Sequence, residues 1–267
     1  MEQVHSLWQD IQHIREEAPL VHNITNYVVM NTTANALLAI GASPVMAHAV
    51  EEVEEMAGIA RALVLNIGTL SESWINAMVR AGRRARQKGV PVVLDPVGAG
   101  ATQFRTSAAH MLLREARPAI IRGNASEIRA VLYAEDATKG VDSTHASEEA
   151  LHAARILSEH CDCVVSVSGA VDLIVSGRSV IRVSNGHPMM PRVTGLGCTA
   201  TALTGAFAAV NPVPLKAAAH AMAVLGIAGE MAAEISPGPG SLQMHLLDAL
   251  FRMEESHILQ RLKMEEE

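Results

Sequence analysis

Short apolar runs recur along this chain, separated by stretches with helical spacing. SPVMA (43–47), ALVLNIG (62–68), PVVLDPVG (91–98), AIIRGN (119–124) and CVVSVSG (163–169) read as strands. A strand that is apolar on successive residues must be covered on both faces, which is the pattern of a parallel sheet. The segments between supply the cover: Ser71 to Lys88 with Ser71 as N-cap, a helix opening at Asn124, and His145 to His160. The alternation predicts an α/β fold with three layers, α/β/α, around a mostly parallel central sheet.

The flanking segments fit the same plan. Glu2 to Glu17 carries Val4, Leu7, Trp8, Ile11 and Ile14 at helical spacing and reads as a surface helix. PLVHNITNYVVMN (19–31) reads as a loop, and Thr32 to Ile40 as a helix closed by Gly41. DLIVSGRSVIRV (172–183) reads as a hairpin around Ser-Gly. Cys198 to Val210 and Pro214 to Glu234 read as helices, SPGPGS (236–241) as a break, and Leu242 to about Leu262 as helix again. No period recurs and no linker divides the chain, because SPGPGS comes too late to start a domain. Residues 1–267 are expected to form one domain. Aromatics are 3% of the residues, so Ala, Val, Leu, Ile and Met must build the interior.

Charge and cysteine usage exclude several function classes. The net charge of −7 gives no electrostatic footprint for nucleic acid. No stretch approaches the ~18–20 apolar residues of a membrane helix, and the acidic N-terminal segment does not read as a signal peptide. Three cysteines (161, 163, 198) cannot all pair within one chain, and Cys161 and Cys163 are too close for an ordinary disulfide. Reduced thiols and a cytoplasmic protein are expected.

In open α/β sheets ligands lie beyond the carboxyl ends of the strands, and the polar residues of this chain collect there. Thr194-Gly-Leu-Gly-Cys198 precedes a helix, so free N–H groups and the positive helix end converge on a cradle suited to phosphate. The lysine of a P-loop is absent, and a tight turn with glycines for packing is the alternative. Asp95 and Glu127 end separate strands and suit Mg²⁺, which takes one or two carboxylates with waters and phosphate oxygens. Asn124-x-x-Glu127 places both side chains toward one cleft. A helix first-turn acid for Glu127 and an Asp-Pro turn for Asp95 are the alternatives. His22, Asn23, Thr25 and Asn26 could hydrogen-bond a heteroaromatic ring and a hydroxyl, or merely cap a loop. Met46 could line an apolar pocket or belong to the core.

These stretches together resemble a known family. PLVHNITNYVVMN with TTANALLAIGASPVMAH, VVLDPVGAGAT, IIRGNASEI, KGVDS, VTGLGCTATALTGAF and the late GPGS are similar, in order from about Pro19 to Leu250, to the hydroxyethylthiazole kinases of thiamine salvage. The parent group is the ribokinase-like superfamily. The resemblance implies ATP-dependent phosphorylation of the primary alcohol of 5-(2-hydroxyethyl)-4-methylthiazole, with Mg²⁺, in a homotrimer with sites at subunit boundaries. It matches Met46 and Gly195, beside Asn23 and Asn26, to substrate binding. It matches Arg122 and Ser168, with Asn124, to ATP binding, and Asp95 and Glu127 to the Mg²⁺ side. Cys198 stands where most superfamily relatives have an aspartate base, and cysteine is usual there in the thiazole kinases. A thiol has a pKa of about 8.5, lowered at a helix N-terminus and opposed by a nearby ATP anion. Cys198 is therefore expected to position the alcohol, with some proton acceptance. Rival readings are a hydroxymethylpyrimidine or pyridoxal-type kinase, a nucleotide-binding regulatory protein, and a structural oligomer.

Overall fold

A computed structural model describes residues 1–133 and 146–267. KGVDS and His145 lie outside the described residues. Nine strands, β1 (Leu20–Ile24), β2 (Ser43–Val45), β3 (Ala62–Asn66), β4 (Val92–Asp95), β5 (Ile120–Asn124), β6 (Val164–Ser168), β7 (Asp172–Ser176), β8 (Ser179–Val183) and β9 (Met264–Glu266), form one sheet. Its order is β2-β1-β3-β4-β5-β6-β7-β8-β9. Every pairing from β2 to β6 is parallel; β7, β8 and β9 add antiparallel.

Strand side chains alternate between two apolar cores, as the period of two requires. Val64 and Val93 enter one, Leu63, Leu65 and Leu94 the other. On the first face pack α1 (Glu2–Glu17) and α2 (Met30–Ile40). The second face is covered by α3 (Val53–Ile59), α4 (Glu72–Lys88), α5 (Gln103–Ala116), α6 (Ala125–Leu132) and α7 (Ala146–Cys161). The chain then returns to the first face with α8 (Leu196–Val210), α9 (Pro214–Glu234) and α10 (Pro239–Phe251), and α11 (Glu255–Arg261) adds Ile258 to that core. The result is the expected α/β/α arrangement around a mostly parallel sheet.

Four local expectations change. The stretch 19–31, expected as a loop, contains β1, inserted between β2 and β3. His22 and Asn23 interrupt its apolar run yet are fully buried, because His22 Nε2 donates to Ala47 O (2.7 Å) and Asn23 Nδ2 to Val21 O (2.9 Å). Helix α8 begins at Leu196, two residues before the expected start, on a left-handed Gly195. The SPGPGS break is shorter than expected, since Pro239 opens α10, where its missing N–H costs nothing. Finally, the last helical stretch is two helices, interrupted at 252–254. Helices α3 and α5 and strand β9 fall where the sequence reading assigns no element.

Candidate active site

The parallel register brings four polar residues to the carboxyl edge at two levels, because Leu94 pairs with Ile121 and Asn124 lies three residues beyond. Asn66 of β3 pairs with Asp95 of β4, and Asn124 of β5 with Ser168 of β6. Above this edge opens a cavity of about 940 Å³. Asp95, Arg122, Asn124, Glu127, Ser168, Gly195 and Cys198 all line it. Its farther wall is apolar and includes Met190, Met222 and Leu225.

Gly195 makes the helix end that faces this cavity. Its φ is +82°, and a Cβ there would stand 2.6 Å from Val29 Cγ1, so neither the backbone nor the space admits a side chain. The first intrahelical bond of α8 runs from Thr199 N–H to Gly195 O. The N–H groups of Leu196, Gly197 and Cys198 are therefore left without intrahelical partners, at the positive end of the helix. Arg122 lies against this end: a Cβ on Gly197 would meet its Nη1 at 3.0 Å. Arg122 is buried, and its Nε has no hydrogen-bond partner among the described residues. Ser168 Oγ donates to Gly123 O at 3.4 Å.

A chain of side chains links α8 to the sheet. Asn26 Nδ2 donates to Cys198 Sγ (3.4 Å) and to Asn66 Oδ1 (2.9 Å). Asn66 Nδ2 donates to Asp95 Oδ2 (2.7 Å), and Thr201 Oγ1 donates to the same oxygen (2.7 Å). Burial pushes the Asp95 carboxyl up to about 6, with Glu127 adding to the rise and Arg122, Thr201 and Asn66 opposing it. Burial also pushes the Cys198 thiol up, followed by the charge of Asp95, against the hydrogen bonds from Asn66 and Asn26 and the charge of Arg122. Desolvation thus joins the opposition expected from a nearby ATP anion, and the raised thiol suits positioning of the alcohol better than proton acceptance.

Glu127 and Asn124 form a reciprocal helix cap. Asn124 Oδ1 accepts from Glu127 N–H (2.9 Å) and Ser126 Oγ (2.7 Å). Glu127 Oε2 accepts from Asn124 N–H and Oε1 from Gly98 N–H, both at 2.8 Å. The stabilising role of a first-turn acid is thus realised, and the carboxylate still lines the cavity.

Asn23, Asn26 and Met46 are not among the residues that line the cavity; Asn26 reaches its wall only through Cys198. Asn23 is buried within β1 with its Oδ1 unpartnered, and Met46 is half-buried just beyond β2. Three neighbours of the site were missed in the sequence. Asn66 obeys the same strand-end rule as Asp95, but the strand was drawn two residues too long. Thr201 follows Cys198 by three residues on one helix face, a usable signal. Asp172 opens β7, lines the cavity, accepts from Gly169 N–H (2.9 Å), and is pushed up to about 6 by burial.

A parallel α/β sheet that ends in an antiparallel hairpin, with one helix N-terminus aimed into the cavity at its carboxyl edge, is the ribokinase-like arrangement. The pyridoxal kinase of Staphylococcus aureus, solved with pyridoxal, shares this fold: TM-score 0.65 at 16% identity, over 93% of this chain and 97% of that one. A solved hydroxyethylthiazole kinase protein of Pyrococcus horikoshii is far nearer, with a TM-score of 0.92 and 47% identity over 98% and 99% of the two chains. A hydroxyethylthiazole kinase of Syntrophus aciditrophicus is 62% identical over 257 residues, covering 96% of this chain and 95% of its own. The pattern of the hydroxyethylthiazole kinase family matches residues 11–256, and the chain belongs to that family.

Proposed function

We propose that this chain transfers the γ-phosphoryl group of ATP to the primary alcohol of 5-(2-hydroxyethyl)-4-methylthiazole in thiamine salvage. One observation carries the reading: the unpaired N–H groups of 196–198 and the Arg122 guanidinium converge with a buried carboxylate, Asp95, on one cavity. Phosphoryl transfer asks mainly for positioning and for stabilisation of shifting charge. The start of α8 and Arg122 supply that charge stabilisation, with Ser168 and Asn124 beside the ATP phosphates. Asn26 orients Cys198, and Cys198 positions the alcohol through its neutral thiol. Asp95, ionised above about pH 6, supplies a negative charge on the metal side of the site at neutral pH.

The donor set suits Mg²⁺. Among the described residues no three acid, His or Cys side chains converge, so a cation here meets at most two carboxylates and completes its shell with water and phosphate oxygens. Asp95 and Glu127 would hold it; both Glu127 oxygens already accept backbone N–H groups, which favours contact through water. Bound there, Mg²⁺ would neutralise phosphate charge.

Asn23 and Met46 belong to the substrate side of the same reading, completed by a neighbouring subunit in a cytoplasmic homotrimer. Support comes from Tyr27 and Val28, each 65% exposed beside Asn26, and from the contacts of Tyr27 with Trp74 and His48. Light scattering should give three times the 28.4 kDa chain mass. The deciding experiment follows ADP formation by purified protein with the thiazole alcohol, hydroxymethylpyrimidine or pyridoxal in turn. Turnover with the thiazole alcohol is expected to exceed the others; preference for either rival alcohol overturns the substrate assignment, and ATP binding without any turnover overturns the activity.

A further inference from the structure

We propose that Cys161 and Cys163 form a redox-active dithiol, which hydroperoxides oxidise to a reversible intramolecular disulfide at the end of the sheet remote from the cavity. Sequence spacing alone argues against pairing, and the local backbone supplies what the spacing lacks. Helix α7 ends in a Schellman-type turn: Cys163 N–H bonds back to Ser158 O at 3.2 Å, across a left-handed Asp162 with φ 50°. A compact turn of this kind sets the two Cα atoms about 5.4 Å apart, as along a helix, within the ~4.4–6.8 Å span of disulfides. The turn is pinned twice, since Ser158 Oγ donates to Cys163 O (2.6 Å) and accepts from Gly177 N–H (2.9 Å).

The two thiols influence each other and are unequal. Cys163 is buried in the second core, whereas Cys161 is half-buried at its edge. The influence of Cys163 brings Cys161 down to about 7 against its burial, and that of Cys161 holds Cys163 up as the thiol. This is the division of labour between an attacking and a resolving cysteine. The Cys161 thiolate attacks one peroxide oxygen; the O–O bond breaks, the peroxide is reduced, and Cys161 becomes a sulfenic acid. Cys163 sulfur then attacks the Cys161 sulfur; the S–S bond forms, the S–O bond breaks, and hydroxide leaves with the Cys163 proton as water. For hydrogen peroxide the balance is two thiols and one peroxide to one disulfide and two waters. Closing a ring across a single residue strains the disulfide, so thiol reductants should reopen it readily.

Cys198 is the internal control, because it is half-buried like Cys161 but has a raised pKa, and its Asn26 contact involves no second thiol. The full-length protein is treated with hydrogen peroxide at neutral pH, and its thiols are titrated after denaturation. Free thiols should fall from three to one, the intact mass should drop by two hydrogens, the chain should remain uncrosslinked, and dithiothreitol should restore all three. Cys163→Ser should instead accumulate a dimedone-reactive sulfenic acid at Cys161. The proposal is overturned if Cys161 over-oxidises while Cys163 stays free, if the new bond joins two chains, if Cys198 reacts first, or if all three thiols survive.

Discussion

Asp95 sits where one carboxylate must be both buried and charged. Its ordinary value of 3.8 rises to about 6, so the folded chain binds the proton more tightly than the unfolded chain. Stability contributed by this group therefore falls as pH rises from about 4 to 6, and the penalty stands in full above 6. From 3.8 to 6 the cost is about 3 kcal/mol. Asp95→Asn, whose amide oxygen can still accept from Asn66 and Thr201, should raise stability at pH 7 by up to that amount and lose most activity. Its advantage should vanish near pH 4, as urea melts at the two pH values would show; an equal advantage at both would sink the electrostatic account. The same ionisation should set the acid limb of kcat/KM near pH 6, with rates falling below it. No rise is expected between pH 7 and 9, because Cys198 stays a thiol. Cys198→Ser should keep that profile. Cys198→Ala should lose up to about 10²-fold in kcat, the cost of misplacing a reactant. An unchanged kcat in Cys198→Ala would show that the sulfur takes no part.

At the scale of the element, the start of α8 depends on one residue that cannot carry a side chain. Gly195→Ala forces a Cβ into left-handed backbone, at about 1–2 kcal/mol, and against Val29 Cγ1 at 2.6 Å. The helix end should shift, and displacements of this kind cost about 10²-fold in kcat/KM. Adding Val29→Ala relieves the overlap without altering φ, so it should recover part of the loss. If Gly195→Ala alone keeps full activity, the N–H groups of 196–198 are not what holds the phosphate. The reciprocal cap of Asn124 and Glu127 teaches a related lesson. Its N-x-x-E spacing was legible, but the same spacing serves a cap and an acidic cleft, and here one pair of residues satisfies both geometries.

Across the whole molecule, the first helical layer is tied together by a buried polar junction. Asp10 of α1 accepts from His220 Nδ1 of α9 (2.6 Å) and from Asn211 Nδ2 beyond α8 (2.7 Å), with Asp10 and His220 both nearly inaccessible. Removing one partner of such a junction strands the other, which costs about 3–5 kcal/mol. Asp10→Ala should destabilise by that order in denaturant melts, while Asp10→Leu with His220→Leu should recover much of the loss. If the double variant is no better than the single, the junction is not an electrostatic clamp. A stable fold with the thiazole activity intact in that double variant would also separate this layer from the chemistry, which lies at the carboxyl edge of the sheet.

The class of fold was legible in the sequence alone. Continuous apolar strands leave few options but a covered parallel sheet, and local chemistry marks Ser71, Gly41 and Asn124 as element ends. Asp95 and Glu127 stand out because ligands gather where strands end, Cys198 because a glycine loop precedes its helix, and Arg122 and Ser168 only through the family resemblance; the fold sets all five around one cavity. Strand β1 was missed because polar His22 and Asn23 break its apolar run, and His22 is tolerated inside the sheet through a distant partner, Ala47. Helices α3 and α5 were missed as well, and β9 exists only because β8 offers it an edge. The roles of Asn66 and Thr201, and the rise in the Cys198 pKa, were likewise decided by tertiary structure. Desolvation and long-range hydrogen bonds depend on what surrounds a group in space, which neighbours along the chain do not specify.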